Sequence, residues 1–279
     1  MIQRTILPFV LILLLTGCGK SNDAPEFVEK ERADSIFSEA KDDGRNTKKD
    51  TTAIPNFPTE EDMSLELLLA GGVFHDDEVK EGSDTKSWMG IFETKNGFLL
   101  AETKITMAHA HDAILDETED DKTGWEIDTT LKDTCLYLIE KIPSLTERKI
   151  KTVKVPETIL PKKKFKFTFS GNQYTLSAEG TMKKQDEESD YEVLTDYRLY
   201  LTANINGKDH TALLVAQDIF DDQMIKILFA GDIDGDGKLD LIIDTSYHYN
   251  MGRPTLYLSK PADDNQIIKP VGMFTFVGC

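Results

Sequence analysis

Four aspartates crowd into one short stretch of the chain. Asp232, Asp234, Asp236 and Asp240 lie within Gly-Asp-Ile-Asp-Gly-Asp-Gly-Lys-Leu-Asp, which covers residues 231–240. Like charges at this density repel one another in a solvated loop, whereas Ca²⁺ takes about six to eight oxygen ligands in a small volume. The spacing therefore predicts a calcium-binding loop in which these side chains converge on one point.

The residues between the aspartates agree with this interpretation. Lys238, at the seventh position of the loop, is expected to offer its backbone carbonyl, and Gly237 permits a sharp turn. A helix-flanked EF-hand would place a glutamate at the twelfth position, where this chain has Ile243. Both flanks, residues 225–230 and 239–244, are short and apolar, so we predict a strand–loop–strand site.

The loop resembles the Asp-x-Asp-x-Asp-Gly-x-x-Asp calcium loop of FG-GAP and VCBS repeats, which are found in integrin-like β-propellers. The resemblance covers residues 225–260, the length of one repeat, and no second copy of the motif is present. It implies the following ligands: the side chains of Asp232, Asp234, Asp236 and Asp240 and the backbone carbonyl of Lys238. The alternative is an acidic surface turn that stays largely free of metal.

The N-terminus carries the pattern of an export signal. Arg4 precedes an apolar run over residues 6–15, and a helix of this length covers only about 15 Å, half the hydrocarbon core of a bilayer. Leu15-Thr-Gly-Cys18 then resembles the lipobox of bacterial lipoproteins. The resemblance implies removal of residues 1–17 and lipidation of Cys18, and Gly19 after the cysteine favours the outer membrane or cell surface. A plain secretory signal with a chance cysteine is the alternative.

Export would expose the remaining cysteines to an oxidising compartment. Cys135 and Cys279 form an even pair once Cys18 carries lipid, so we predict a disulfide between them. The alternative is a buried Cys135 beside a free Cys279.

The charge balance bears on partners. The chain has 50 acidic and 32 basic residues and a formal net charge of −18. A phosphate backbone requires a basic face, so nucleic acid is not an expected partner. The expected partners are the membrane, through the lipid, and an envelope protein or glycan.

The chain divides into a tether and a folded part. Residues 18–58 are polar, charged and interrupted by prolines, so we expect a flexible tether. Residues 59–279 are expected to form one mainly β domain of antiparallel hairpins, arranged as a sandwich, a barrel or a small propeller-like stack. One short N-terminal helix is predicted, with Thr59 as its N-cap and residues 63–70 in its body.

Hairpin signals recur along the folded part. The clearest is the turn at Asn96-Gly97, between apolar stretches at residues 88–94 and 98–107. Similar patterns predict hairpins over residues 164–178 and 197–216. Residues 131–142 are ambiguous between helix and strand, and we favour a strand.

Two histidines form the strongest enzyme-like signal. His109 and His111 are two residues apart, so on a strand they project to one face and could ligate zinc. No third ligand can be identified from the sequence. Exposed histidines at a strand end are the simpler interpretation.

A group of aromatic and polar residues follows the calcium hairpin and could form a recognition patch for a peptide or sugar. The patch consists of Tyr247, His248, Tyr249, Asn250 and Arg253. The favoured alternative is a packed aromatic corner, with its arginine paired to the acidic surface.

These features favour a lipid-anchored cell-envelope protein with a structural Ca²⁺ loop, used in non-enzymatic binding or in surface structure. The sequence contains no nucleophile elbow and no phosphate-cradling glycine loop. The alternative is an envelope-side hydrolase of polysaccharide or peptidoglycan, with calcium as a scaffold. A deep pocket that holds His109, His111 and a carboxylate would favour the hydrolase, and exposure of these residues on separate loops would count against it.

Overall fold

Strands make up most of the computed structural model, which describes residues 55–118, 120–184, 192–262 and 266–278. The strands of the described residues are β1 (Leu65–Leu68), β2 (Gly72–Phe74), β3 (Trp88–Thr94), β4 (Gly97–Thr103), β5 (Ile105–Ala110), β6 (Gly124–Thr129), β7 (Thr134–Glu140), β8 (Arg148–Ile150), β9 (Lys164–Phe169), β10 (Asn172–Lys184), β11 (Glu192–Ile205), β12 (Lys208–Ile219), β13 (Lys226–Gly231), β14 (Asp240–Asp244), β15 (Met251–Gly252), β16 (Pro254–Leu258), β17 (Lys269–Met273) and β18 (Phe276–Val277). Short 3-10 helices cover Glu60–Asp62, Asp76–Glu78 and Ser83–Thr85.

The largest sheet has nine strands in the order β13-β14-β16-β17-β1-β7-β3-β4-β8. Its neighbouring strands are antiparallel except for β1 and β17, which run parallel. The chain beyond β8 then reaches the opposite edge, where Val153 N donates to Ala230 O at 3.0 Å and Ile227 N donates to Glu157 O at 2.7 Å. The sheet is therefore nearly closed and barrel-like.

Three smaller sheets complete the fold, in the orders β12-β11-β10-β9, β2-β6-β5 and β15-β18. The first is built from two hairpins, whose turns at Ser170–Gly171 and Asn206–Gly207 all have positive φ. Such turns match the twist of the flanking strands. The predicted hairpins over residues 164–178 and 197–216 are confirmed, as are the hairpin at Asn96–Gly97 and the strand within residues 131–142.

The apolar run of β14 separates two cores. Leu241 and Ile243 belong to a core shared with the four-stranded sheet, and Ile242 between them belongs to a second core. All three side chains are fully buried. Because successive side chains of a strand point to opposite faces, a strand buried on both faces needs an unbroken apolar run. This explains why the segment after the aspartate-rich loop does not alternate with polar residues.

The mainly β, single-domain fold class is confirmed, and the described residues fall within one compact unit, Thr51–Cys279. Its contacts begin inside the segment that we expected to be tether. Phe57 N donates to Ala216 O at 2.9 Å, and Ala216 N donates to Phe57 O at 2.8 Å. The backbone at Phe57 thus covers part of the outer edge of β12.

The helix predicted over residues 63–70 is wrong in its length and position. Thr59 N and Oγ1 do donate to Asp62 Oδ2, at 2.8 and 3.0 Å, but the helix is a single 3-10 turn. Leu67 and Leu68 lie instead in β1, buried between β7 and β17. Pairing with two neighbouring strands outweighs the helical preference of a leucine-rich segment.

Candidate metal centre

The aspartate-rich loop joins two adjacent strands whose ends are fixed by pairing. Ala230 pairs with Leu241, and Gly231 pairs with Asp240. Asp240 is therefore both the last residue of the loop and the first residue of β14. The predicted strand–loop–strand arrangement is confirmed, and Ile243 is a buried core residue of β14, as a site without an EF-hand ligand requires.

Three carboxylates meet inside this loop. One oxygen from each of Asp232, Asp234 and Asp240 lies within 4.8 Å of the others. Asp234 and Asp240 are 0% exposed, and Asp232 is half-buried. Ca²⁺ binds oxygens at about 2.3 to 2.6 Å, so two of its ligands are at most about 5 Å apart. The donor type and the spacing of these oxygens therefore fit a calcium ion.

Asp240 is the most heavily hydrogen-bonded member of the group. Its Oδ2 accepts from Ile233 N at 2.6 Å and from Asp234 N at 3.0 Å. Its Oδ1 accepts from Ser259 N at 2.7 Å and from Ser259 Oγ at 2.9 Å. One carboxylate thus joins the loop, the start of β14 and the residue after β16.

The buried carboxylates are unfavourable as ions in the absence of a cation. Burial, together with the charges of Asp236 and Asp232, raises the pKa of Asp234 despite its hydrogen bond from Lys260 N. Burial and the charge of Asp234 raise the pKa of Asp240 well above its ordinary value. A divalent cation among these oxygens would reverse both effects, because an opposite charge favours the ionised form.

Asp236 is not part of the group of three carboxylates, although it shares the Ser259 hydroxyl with Asp240. Its Oδ1 accepts from Lys238 N at 2.8 Å and from Ser259 Oγ at 3.0 Å, and its Oδ2 lies 3.2 Å from Lys238 Nζ. The loop therefore brings together three of the four carboxylates that we expected as ligands. Ligation by Asp236 and by the Lys238 carbonyl stays a prediction.

Two glycines give the loop its tight path. Gly235 and Gly237 have φ values of 78° and 82°, a left-handed conformation that residues with a Cβ adopt at a cost. The conformation of Gly237 agrees with the sharp turn that we predicted there. The amide of Gly235 donates to Asp232 Oδ1 at 2.7 Å, and that of Gly237 donates to Asp232 Oδ2 at 3.1 Å.

Three residues at the loop were missed by the sequence analysis. Ser259 and Lys260 supply hydrogen bonds from the chain after β16, and Arg148 of β8 lies against Gly235. All three are distant in sequence from the aspartates and belong to no motif. Only strand pairing brings them to the loop, so no local signal could have identified them.

The recognition patch is partly exposed. Tyr247 and Tyr249 are 36% and 64% exposed, and the Arg253 Cζ atom lies 5.5 Å from the centroid of the Tyr247 ring. His248 stacks on Tyr249 with ring centroids 4.5 Å apart, and its Nε2 lies 2.9 Å from Asp221 Oδ2. Arg253 thus packs on an aromatic ring, a contact that both the recognition patch and the packed aromatic corner allow.

The patch borders an apolar groove. Within the patch, Asn250 N donates to His248 Nδ1 at 3.4 Å. Tyr247 and His248 line a groove of about 820 Å³ together with Leu160, Met182 and Ile219. Peptide or sugar recognition at this patch stays a prediction.

The two histidines predicted to share a face do not form a metal site with the other described residues. His109 is exposed and stacks on Trp125, with ring centroids 3.8 Å apart. His111 Nδ1 lies 3.2 Å from Asp121 O and 3.5 Å from Asp116 Oδ2. The grouped metal-ligating side chains of the described residues are those of the aspartate loop.

A different histidine is held by a buried carboxylate. His75 Nδ1 lies 2.5 Å from Asp112 Oδ2, and Asp112 is 3% exposed. The two residues are far apart in sequence, and nothing in the sequence connects them.

Several predicted features lie outside the described residues. The signal over residues 1–17, the lipidation site Cys18 and most of the tether are among them, as is Cys279. Cys135 is a thiol whose Sγ donates to Tyr137 O at 3.5 Å, and burial raises its pKa to about 12. Its pairing with Cys279 stays a prediction.

No family model, no curated protein and no solved structure matches this chain. Among the described residues, no helix has the length and apolar composition needed to cross a membrane.

Proposed function

We propose that this chain is a lipid-anchored protein of the bacterial cell envelope, that its loop at residues 232–240 holds a structural Ca²⁺, and that its domain serves non-enzymatic binding or surface structure. One observation supports calcium above all. Oxygens of the fully buried Asp234 and Asp240 lie within 4.8 Å of an oxygen of Asp232. Buried, ionised carboxylates this close are unfavourable unless a cation compensates their charge.

The ion would act through the fold. A bound Ca²⁺ supplies the positive charge that offsets repulsion among the carboxylates. The chain holds those oxygens together through the Ser259 and Lys260 amides, which donate to Asp240 and Asp234 at 2.7 and 2.9 Å. Because the unfolded chain lacks this arrangement, binding stabilises the folded state by mass action.

The proposal is tested by thermal unfolding of the purified protein in Ca²⁺, in Mg²⁺ and in chelator. Extracellular calcium modules bind with a Kd of about 0.1 to 1 mM. At about 10 mM Ca²⁺ the stabilisation is then about 1.4 to 2.7 kcal/mol. For a domain of this size, the melting temperature should rise by about 3 to 11 °C. An unchanged melting temperature across these conditions would refute calcium binding.

Two variants locate the effect. Asp234→Ala should abolish the response to Ca²⁺, and Asp234→Asn, which keeps an acceptor for Lys260 N, should weaken it while preserving the fold. Asp218→Ala removes an exposed carboxylate outside the loop and should respond like the wild type. A Ca²⁺ response that persists undiminished in both Asp234 variants would place the ion elsewhere.

The anchor is tested separately. We expect the wild-type protein in the membrane fraction and labelled by a fatty-acid precursor, whereas Cys18→Ser should lose the label. Label that persists in Cys18→Ser would contradict lipidation at this residue and leave the calcium proposal unaffected.

A further inference from the structure

A second candidate binding site shares no residue with the aspartate-rich loop. It is a cavity of about 570 Å³ beside β1, β17 and the 3-10 helix Asp76–Glu78. Its apolar wall includes Met63, Leu65 and Met273, which are partly exposed. Cavities of about 300 to 1,000 Å³ with an apolar wall and a few polar groups are typical small-molecule sites.

His75 gives this cavity an oriented polar group. His75 lines the cavity, and its Nδ1 is held by Asp112. Asp112 Oδ1 in turn accepts from Ile114 N at 3.0 Å and from Leu115 N at 3.2 Å. A carboxylate partner is an acceptor, so Nδ1 donates and the neutral ring carries its lone pair on Nε2.

The Nε2 atom of His75 has no hydrogen-bond partner among the residues that the structure describes. The side chain is only 15% exposed. The Nε2 atom is nevertheless accessible to water, and a ligand N–H can take the place of that water. The cavity that His75 lines is where such a ligand would bind.

The charge around the cavity selects the ligand. Glu60, Glu66, Asp77 and Glu78 line it, opposed by Lys80. Glu66 is compensated, since its Oε2 lies 2.7 Å from Lys86 Nζ. The remaining carboxylates outnumber the cation, so this lining repels anions and attracts cations.

Glu78 is also fixed in place. Its Oε2 accepts from His75 N at 2.9 Å, and its Oε1 accepts from Val277 N at 2.5 Å. The Glu78 carboxylate is therefore held by two backbone amides. This fixed charge lies on the same short segment as the imidazole acceptor.

We infer that this cavity binds a small organic ammonium ion with an apolar body. The ammonium N–H donates to His75 Nε2, and Asp77 and Glu78 balance its charge. The apolar body packs on Met63, Leu65 and Met273. Recognition needs the neutral ring, in which Asp112 fixes the tautomer that leaves the acceptor on Nε2. Because the same hydrogen bond raises the pKa of His75, the titrations are made at a pH above that pKa, and binding should weaken as the pH falls and the ring becomes protonated. The inference does not depend on calcium at the aspartate loop.

The test compares three six-carbon probes by titration calorimetry on the purified protein: hexylammonium, the neutral alcohol 1-hexanol and the anion hexanoate. The three share an apolar body and differ in the polar group. Hexylammonium should bind at least about tenfold more tightly than 1-hexanol, a difference of about 1.4 kcal/mol. Hexanoate should bind most weakly. Equal affinities for hexylammonium and 1-hexanol would overturn the inference.

Variants place the probe in the cavity. His75→Ala should weaken hexylammonium binding about tenfold or more, and His248→Ala, which changes a histidine outside the cavity, should leave it unchanged. If His75→Ala does not fold, His75→Gln is used in its place and should show the same loss of affinity for hexylammonium. Undiminished binding to His75→Gln would contradict the assignment. The same titrations in Ca²⁺ and in chelator should agree, so a failure here is distinguishable from a failure of the calcium proposal.

Discussion

The guanidinium of Arg148 occupies the space that a side chain at Gly235 would need. An ideal Cβ on this glycine would overlap Nη1 of the arginine. The arginine is held in place by two hydrogen bonds, from its Nε to Thr146 O at 2.9 Å and from its Nη2 to Thr146 Oγ1 at 2.6 Å. Gly237, two residues on, has nearly the same φ and no atom within 4 Å of its ideal Cβ. Comparing substitutions at the two glycines therefore separates the cost of a left-handed backbone from the cost of crowding against Arg148.

Gly235→Ala should destabilise the protein more than Gly237→Ala. Both variants carry the cost of a left-handed alanine, about 1 kcal/mol. Only Gly235→Ala displaces Arg148 and its bonds to Thr146, which adds about 1 kcal/mol. Urea unfolding measures both costs. In an Arg148→Ala background the difference between the two variants should vanish, and equal costs in the wild-type background would contradict this account.

Ser259→Ala should weaken calcium binding without unfolding the loop. The variant keeps the Ser259 backbone amide on Asp240 but removes the hydroxyl that donates to Asp236 and Asp240. Groups that orient metal ligands typically contribute about 10- to 100-fold in affinity. We therefore expect at least a tenfold higher Kd for Ca²⁺ by calorimetry, about the low end of that range. Ser177→Ala on β10 is the control. An unchanged Kd for Ser259→Ala would show that the Ser259 hydroxyl does not support calcium binding.

The His75–Asp112 pair should make stability depend on pH. The hydrogen bond to Asp112 raises the pKa of His75, the charges of Glu78, Asp112 and Asp77 add to it, and burial opposes it. A raised folded-state pKa means that the protonated ring favours the fold. This contribution is complete below the unfolded pKa of about 6.5 and is lost as the pH rises through the folded pKa.

Asp112 sets the lower limit of that pH window. Burial alone would raise its pKa, but the hydrogen bonds from His75, Ile114 and Leu115 outweigh burial and lower it. The contribution of Asp112 is therefore present above its unfolded pKa and lost as the pH falls through its folded pKa.

Urea unfolding tests the contribution of His75. It should show a decline in the free energy of unfolding above about pH 6.5 that is smaller in His75→Gln. The same slope in both proteins would contradict the coupling.

Local patterns predicted the hairpins and the loop, because their determinants are adjacent in sequence. Asn206–Gly207 fixes a turn by itself, and four closely spaced aspartates predict a cation site, which stays a prediction, without knowledge of the fold. The helix over residues 63–70 was wrong because β1 is formed by strands distant in sequence. For the same reason, the sequence did not predict the contacts of Ser259 and Arg148 or the His75–Asp112 pair. The order of the strands brings these residues together.

The closure of the barrel-like sheet has a consequence for the order in which the protein assembles. The ladder that joins the chain after β8 to β13 ends where Asp232 N donates to Lys151 O at 2.9 Å. The first residue of the aspartate-rich loop therefore also takes part in the pairing that closes the sheet. A chain that folds as it is made from its N-terminus must leave residues 151–157 unpaired until β13 follows. If the loop binds Ca²⁺ as we propose, the ion site and these closing pairs should form together, because both require β13 and the start of the loop.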